Sequence, residues 1–328
     1  MDHSTASETA PPADLGLVRL RRLVDGPIDV TLPLAPGDRA LVAAGESIVA
    51  GTPVIEKVRD PQLTEVLVPE TAEPHPGGRV ADGELLFEWR GRWRIAGGEF
   101  TEPIDSPVAG IVRDVRPGNG IVIRATGRAL SGIITLGGPT RGRLHVASWV
   151  EGELRSSTVD VGLAGNILVV GSRIDAETLT RARAMGVRGI IVAGLASKER
   201  RDFLASEARQ RAALHRLPPF AVFVLEGAMR RPLAGAVMAI LEALEGRDVA
   251  LVADPPALVF DVPELDLPLP PPDRVRIRAG QLNGREGTWT GLAGPRRFPG
   301  GVHLEAGSVR FDDGTTVAIP LGDLERFA

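Results

Sequence analysis

Few side chains in this sequence are of the types that usually carry catalysis. The 328 residues include no cysteine, two lysines (Lys57 and Lys198) and five histidines. Without cysteine, disulfides, thiol nucleophiles and cysteine-held metal or iron–sulfur centres are excluded. The histidines fall at no metal-ligand spacing, and no Gly-x-Ser-x-Gly segment supplies a nucleophile elbow. The sequence therefore predicts no catalytic residue, no metal site and no cofactor, and it favours a protein that is not an enzyme.

Polar or small residues follow four apolar runs in the middle of the chain. The runs are rich in Val, Ile and Leu, as buried parallel strands are, and they span 166–172, 189–195, 220–227 and 248–254. Helix-forming segments alternate with them, which predicts a small doubly wound parallel α/β domain, Rossmann-like in the loose sense, over 160–262. Ligands of such sheets lie at the carboxyl ends of the strands. The weak cofactor-binding candidates are therefore Ser172, Gly194, Glu226 and Asp254.

The phosphate-binding motifs of nucleotide-binding domains are missing from this segment. The turn after the first run reads VVGSRIDAE, with the single glycine Gly171 where the dinucleotide fingerprint has three. Neither lysine stands in a P-loop. Turn and capping roles account for Glu226 and Asp254 as well as ligand binding does, so a small-ligand-binding or enzymatic α/β domain is kept as an alternative.

Residues 273–328 alternate apolar residues with arginines and turn at glycines. The segment DRVRIRAGQLNGREGTW resembles the KOW motif of NusG-type transcription factors and ribosomal proteins, and the residues that match are Val275, Ile277, Gly280, Gly284 and Gly287. The resemblance implies an SH3-like barrel, in which glycines let the chain reverse tightly between short strands. It also implies RNA or a protein as the partner, because KOW barrels of these families bind one or the other.

Arginines supply the candidate contacts of this C-terminal domain. Arg274, Arg276 and Arg278 alternate along one strand and are predicted to share a face, and Arg296 and Arg297 follow in a long loop. The domain holds eight arginines against seven acids, and the whole chain has a net charge of −4. This balance is not the electrostatic footprint of a nucleic-acid-binding domain. A patch that contacts nucleic acid or a protein and a merely solvated strand face are equally open.

Residues 18–159 are rich in Gly and Pro, with short β-type runs that predict an all-β domain. They are similar to the barrel-sandwich hybrid family, which includes lipoyl and biotinyl carrier domains and a module of Rnf-type C subunits. The matching residues are Gly37, Asp38, Val42, Gly45, Ile48, Gly51 and Val54, and the segment SPVAGIV at 106–112. Lys57 lies inside the run IEKV rather than at a hairpin tip, so we expect no covalent lipoyl or biotin.

The remaining segments complete a multidomain fold class of α/β plus all-β. Residues 1–17 are predicted to be a disordered tail, without the basic and apolar regions of a signal peptide. Residues 263–272 hold five prolines and are predicted to be a stiff linker. No apolar run is long enough for a membrane span, which predicts a cytoplasmic protein. Arginine-rich, lysine-poor usage is typical of a bacterial genome of high GC content.

Three functions follow from this inventory. The favoured one is a non-catalytic modular adaptor or scaffold that binds protein partners through the KOW and α/β domains. The second is an RNA-, ribosome- or transcription-associated factor, with RNA bound by the KOW barrel. The third is the α/β domain as a ligand-binding or enzymatic module.

Overall fold

A computed structural model describes residues 18–21, 23–59, 64–67, 85–89, 92–95, 100–213 and 218–327. The tail at 1–17 and His215 lie outside this part of the chain. Across the described residues the protein is mostly β-sheet, arranged in several sheets, with three α-helices.

The elements are numbered here in chain order. The strands are β1 (Val18–Arg21), β2 (Leu23–Val24), β3 (Ile28–Pro33), β4 (Arg39–Ala40), β5 (Ser47–Ile48), β6 (Pro53–Arg59), β7 (Thr64–Leu67), β8 (Leu85–Trp89), β9 (Arg92–Ile95), β10 (Phe100–Asp105), β11 (Gly110–Arg116), β12 (Gly120–Ala125), β13 (Arg128–Ser131), β14 (Ile134–Gly137), β15 (Thr140–Val146), β16 (Asn166–Val170), β17 (Gly189–Gly194), β18 (Ala221–Gly227), β19 (Asp248–Ala253), β20 (Pro256–Phe260), β21 (Arg274–Ile277), β22 (Glu286–Arg297), β23 (His303–Arg310), β24 (Thr316–Pro320) and β25 (Leu324–Phe327). The helices are α1 (Ala176–Ala184), α2 (Ser197–Ala213) and α3 (Gly235–Ala243).

The chain divides into two compact units. One spans Asp29–Ala125, and the other is formed by the described residues of 1–28 and 126–328. The first unit is therefore an insertion in the sequence of the second. We call them the inserted unit and the main unit.

Short strands around buried apolar side chains build the inserted unit. β3-β12-β11-β5 form one sheet, β10-β6-β4 a second, and β7-β9-β8 a third. The interior includes Val30, Leu32, Val112, Ile121 and Ile123, none of them more than 1% exposed. Lys57 lies within β6, opposite Glu102 of β10, which agrees with the expected placement of this lysine inside a strand.

A nine-stranded mixed sheet is the centre of the main unit, in the order β14-β18-β17-β16-β15-β19-β20-β13-β2. β15, β16, β17 and β18 are parallel neighbours. Three of the four apolar runs thus have the predicted orientation. The fourth run, β19, is antiparallel to β15 and forms a hairpin with β20, so the prediction of an all-parallel sheet is wrong for this strand. An apolar run that is buried on both faces carries no information about strand direction, which is the reason for the error.

Helices cover both faces of the parallel strands. Alternate strand residues point to opposite faces, so each strand contributes to two cores. One core joins Leu168, Ile190 and Val222 to Leu179 of α1 and Phe203 of α2. The other joins Ile167, Ile191 and Phe223 to Val237 and Leu241 of α3. The helices on both faces are those that a doubly wound domain requires.

The C-terminal sheet has the order β1-β25-β21-β22-β23-β24 and no closure into a barrel among the described strands. β21 to β24 form an antiparallel meander, and β25 returns to pair with β21. β1 adds a parallel strand beside β25. Seven side chains form its core: Val275, Ile277, Trp289, Val309, Phe311, Ile319 and Leu324.

The proline-rich segment 263–272 is packed against the nine-stranded sheet. Leu267 is 8% exposed and belongs to the core that contains α3, with Leu265 beside it. The Arg128 guanidinium donates hydrogen bonds of 2.8 Å to the carbonyls of Val262 and Leu265. The segment therefore contributes to the packing of the main unit as well as connecting its two sheets.

Among the described residues, no helix combines the length and the apolar character that crossing a bilayer demands.

Candidate functional site

Ser172 and Gly194 lie at the carboxyl edge of the parallel strands, as predicted for strand-end residues. Ser172 follows β16 and is 3% exposed. Its hydroxyl donates to the Glu151 carbonyl at 3.0 Å, and its N–H donates to the Gly152 carbonyl at 2.9 Å. The polar groups of Ser172 are thus satisfied by the segment that follows β15.

Main chain closes this edge of the sheet. A Cβ at Gly171 would collide with the Trp149 carbonyl and with Gly152, and a Cβ at Gly194 would collide with the Met229 carbonyl. Such approaches are open only to glycine. These two glycines therefore serve chain packing, in contrast to the backbone approach to a phosphate that nucleotide-binding glycines provide.

Large apolar side chains are exposed on the segments that cover this edge. Trp149 is 74% exposed and Met229 is 68% exposed. Ile133, which is 55% exposed, lies at the same edge, because its Cδ1 is 3.7 Å from the position a Cβ would take at Gly227, the last residue of β18. We call Trp149, Met229 and Ile133 the edge cluster.

Asp254 lies at the opposite edge of the sheet from the other three candidates. Because β19 runs antiparallel to β15, with Asp248 opposite Arg143 and Leu251 opposite Thr140, its carboxyl end meets the amino ends of the parallel strands. The expectation that Asp254 shares a site with Ser172, Gly194 and Glu226 therefore fails. The error follows directly from the direction of β19.

Glu226 and Arg276, predicted as contacts of two different domains, bind each other. The Arg276 Nη1 lies 3.0 Å from the Glu226 Oε1, and the two side chains are 3% and 0% exposed. Arg276 also donates from Nη2 to the Pro232 carbonyl at 2.5 Å. Arg276 is thus an interior residue that joins the C-terminal sheet to the nine-stranded sheet, and the prediction that it lies on a solvent-facing strand face is wrong.

Two further side chains complete this buried ionic group. Arg231 Nη1 lies 3.6 Å from Glu226 Oε2 and 3.7 Å from Glu325 Oε1, and Arg276 Nη1 lies 3.5 Å from Glu325 Oε1. We call Glu226, Arg231, Arg276 and Glu325 the ionic cluster. Two cations and two anions balance each other, as burial requires.

Arg274 and Arg278 do not join Arg276 in a cationic face either. Arg274 donates to both carboxylate oxygens of Asp312, at 3.0 and 3.3 Å. The hydrogen bond from Arg274, with its charge, holds the pKa of Asp312 below the ordinary value of 3.8, and Asp312 raises the pKa of Arg274 in return. Arg278 is exposed, and its carbonyl accepts a hydrogen bond from Arg231 at 2.8 Å.

A second contact links the C-terminal sheet to α3. Glu286 of β22 accepts the N–H of Gly235 at 2.6 Å, at the start of a helix whose own N-cap residue, Ala234, makes no side-chain cap. The carboxylate also sits at the positive end of the helix dipole. A residue of one sheet thus caps the helix that covers the other.

Arg296 and Arg297 are exposed and lie in β22 rather than in a loop. They pair with Leu304 and His303 of β23 near the end of a long hairpin. Leu292, Val302 and Leu304 on this hairpin are 58%, 52% and 43% exposed. We call residues 292–304 the arm.

Sequence reasoning missed Glu286, Arg231 and Glu325 as partners of the candidate residues. Each contact joins residues that are at least 47 positions apart or lie in different sheets. The missing helix-cap residue before α3 was the one local signal, because a helix without a Ser, Thr, Asp or Asn cap needs another acceptor.

Within the described part of the chain, no group of three or more His, Asp or Glu side chains has an arrangement that could hold a metal ion. No protein-family model matches the chain, and no curated protein matches it.

Proposed function

We propose that this protein is a non-catalytic adaptor that binds a protein partner. One observation carries the proposal: Glu226 and Arg276, candidates for a ligand site and a partner surface, neutralise each other in the interior. The exposed surface of the main unit instead includes large apolar side chains, in the edge cluster and on the arm. Exposed apolar groups that lie together are typical of surfaces that another protein covers.

The nine-stranded sheet and the C-terminal sheet suit this role because they hold each other firmly. The ionic cluster and the Glu286 cap of α3 both cross between the two sheets. A buried charge separated from its counter-charge is costly, so the two sheets resist parting. An adaptor with a fixed arrangement of surfaces loses less conformational freedom when it binds.

We also infer that the component folds are those that the sequence resembles. The order β25-β21-β22-β23-β24 supports an SH3-like barrel of the KOW type for the C-terminal sheet, and its turn uses Gly280 and Gly284 at φ of 76° and 89°. The small sheets of the inserted unit support a barrel-sandwich hybrid. Four parallel strands, β15 to β18, with helices on both faces support a Rossmann-like centre.

Affinity capture of the tagged full-length chain from its source cells, with nuclease treatment, tests the adaptor proposal. The expected result is one protein recovered near 1:1 with the bait and identified by mass spectrometry, while a bait with a compact unrelated fold does not recover it. Two parallel measurements address the alternatives. RNA binding whose affinity falls steeply with salt would replace the adaptor with an RNA-associated factor, and thermal stabilisation by a member of a nucleotide and metabolite panel would replace it with a ligand-binding domain.

A further inference from the structure

Resting on the adaptor role, we propose that the arm is the docking element and that its partner is a protein with an apolar groove and an acidic rim. The arm differs from the edge cluster in carrying charges of one sign beside its apolar side chains. Its geometry, its exposed surface and its charge each contribute to the proposal.

The arm is a two-stranded ribbon that extends past its neighbours in the sheet. β22 and β23 pair from Thr288 opposite Arg310 to Arg297 opposite His303. β21 pairs with β22 only at 286–288, and β24 pairs with β23 only at 306–310. Among the described strands, no third strand pairs with residues 292–304. A two-stranded ribbon by itself is only marginally stable in water. A partner that covers it would supply the missing packing.

Aliphatic side chains are exposed on this ribbon where solvated hairpins have polar ones. Leu292, Val302 and Leu304 are 58%, 52% and 43% exposed. Arg296 stands directly opposite Leu304, so charged and aliphatic groups are interleaved. An apolar groove would remove these aliphatic groups from water, which is the main favourable term in protein association.

The positive charge of the arm indicates that the rim of the partner's groove is acidic. Residues 292–304 include Arg296, Arg297 and His303 and no Asp or Glu, and the exposed Glu305 at the base of the arm lies opposite Pro295. Across the residues that the structure describes, Arg296 and Arg297 make no ion pair. Arg274 and Arg276 nearby are already occupied by Asp312 and by the ionic cluster. The arm therefore offers two neighbouring arginines to acidic groups of a partner.

A protein fits this surface better than RNA does. Single-stranded nucleic acid is held by exposed aromatic platforms inside a cationic groove, whereas the exposed large hydrophobic side chains of the arm, Leu292, Val302 and Leu304, are aliphatic. Two exposed arginines also neutralise few phosphates. Arginine beside aliphatic groups is a common composition of protein interfaces.

A random peptide library displayed on phage, selected on the full-length protein, tests this chemistry directly. We expect the selected peptides to combine Leu, Ile or Phe with flanking Asp or Glu. Their affinity should fall roughly tenfold or more for R296E/R297E and for L292T/L304T, since few interface residues carry most of the binding energy. The charge-matched R200E/R209E and the apolar control L204T, on the surface of α2, should bind as the wild type does.

Five outcomes would overturn the inference. It is overturned if the selected peptides lack acidic residues, if the arm variants bind them as well as the controls do, or if a labelled RNA oligonucleotide depends on Arg296 and Arg297 instead. It is also overturned if light scattering shows a dimer that R296E/R297E dissolves, because the occupant is then a second copy. A captured cellular partner that binds both arm variants normally would leave the adaptor role intact and refute the arm alone.

Discussion

The ionic cluster buries two residues, Glu226 and Arg276, that the sequence predicted as contacts of a ligand or partner. Glu226 terminates an apolar strand, and Arg276 alternates with other arginines, so both patterns are those of surface positions. The structure buries them against each other, 3.0 Å apart. Burial of a charge is tolerated only with a counter-charge, and that counter-charge is supplied by a residue 50 positions away along the chain.

Replacing one member of the cluster should be much worse than replacing two. Glu226→Leu or Arg276→Met alone leaves an unbalanced buried charge, and we expect each to lower the free energy of unfolding by about 3 kcal/mol or more. The double variant restores neutrality and should lie closer to the wild type than the sum of the singles. Urea unfolding followed by circular dichroism measures all four proteins, and strict additivity would contradict a coupled cluster.

The Arg274–Asp312 pair should make the free energy of unfolding depend on pH in the acid range. The hydrogen bond from Arg274 lowers the folded-state pKa of Asp312 below the ordinary value of 3.8. The pair therefore stabilises the folded state fully above pH 3.8, and this stabilisation is lost as pH falls through the folded-state pKa. Asp312→Asn should therefore be less stable than the wild type near pH 7, and the difference should vanish in strong acid. A carboxyl-carbon NMR titration gives the pKa itself, and a midpoint at or above 3.8 would contradict the pairing.

At the scale of elements, α3 depends on another sheet for its first turn. Glu286 of β22 accepts the Gly235 N–H at 2.6 Å, a role that normally falls to the N-cap residue of the helix itself. The C-terminal sheet thereby fixes where the helix begins, although the two elements are 43 residues apart at their nearest ends.

Removing this cap should loosen α3 from a distance. Glu286→Ala should cost about 1 kcal/mol at the helix start, equivalent to about fivefold faster hydrogen exchange of the first-turn amides. Asp175→Ala removes the cap of α1, where the carboxylate accepts the Thr178 N–H, and provides the control because it should leave α3 unchanged. Equal exchange in α3 for both variants would show that Glu286 does not cap it.

The sequence predicted the elements of the centre better than their directions. The apolar runs predict β16, β17 and β18 where the structure has them, and the helix-forming segments between the runs correspond to α1 and α2, because these signals are local. The sequence did not predict that β19 is antiparallel or that Arg296 and Arg297 lie in a paired strand. Both features depend on which strands become neighbours. Pairing partners are chosen by tertiary packing, and nothing in a short apolar run records them.

At the scale of the molecule, the inserted unit lies in the sequence between β2 and β13, two strands of the main unit that pair with each other. Leu23 and Val24 of β2 pair with Leu130 and Ala129 of β13, so the two points where the insertion leaves and returns are adjacent in the main unit. Sequence composition placed the first boundary near residue 159, whereas β13, β14 and β15 belong to the nine-stranded sheet. The all-β character of these strands resembles that of the inserted unit, which hides the change of unit.

Excision of the inserted unit should leave the main unit folded. Joining residue 26 to residue 127 through a short Gly-Ser linker spans ends that are already adjacent, so the loop-closure cost is small. We expect cooperative thermal unfolding and native-like circular dichroism from this shortened chain, and the same arm-dependent peptide binding as the full-length protein. Loss of the cooperative transition would mean that the main unit needs the insertion to fold.

The parallel pairing of β1 with β25 has a consequence for how the protein is made. β1 is synthesised long before β25, since the paired residues Val18 and Glu325 are far apart along the chain. During synthesis β1 remains without this neighbour while the four other sheets and the three helices of the described residues are made after it. Contacts of such long sequence separation form slowly, so the C-terminal sheet is completed only after β25 has been synthesised.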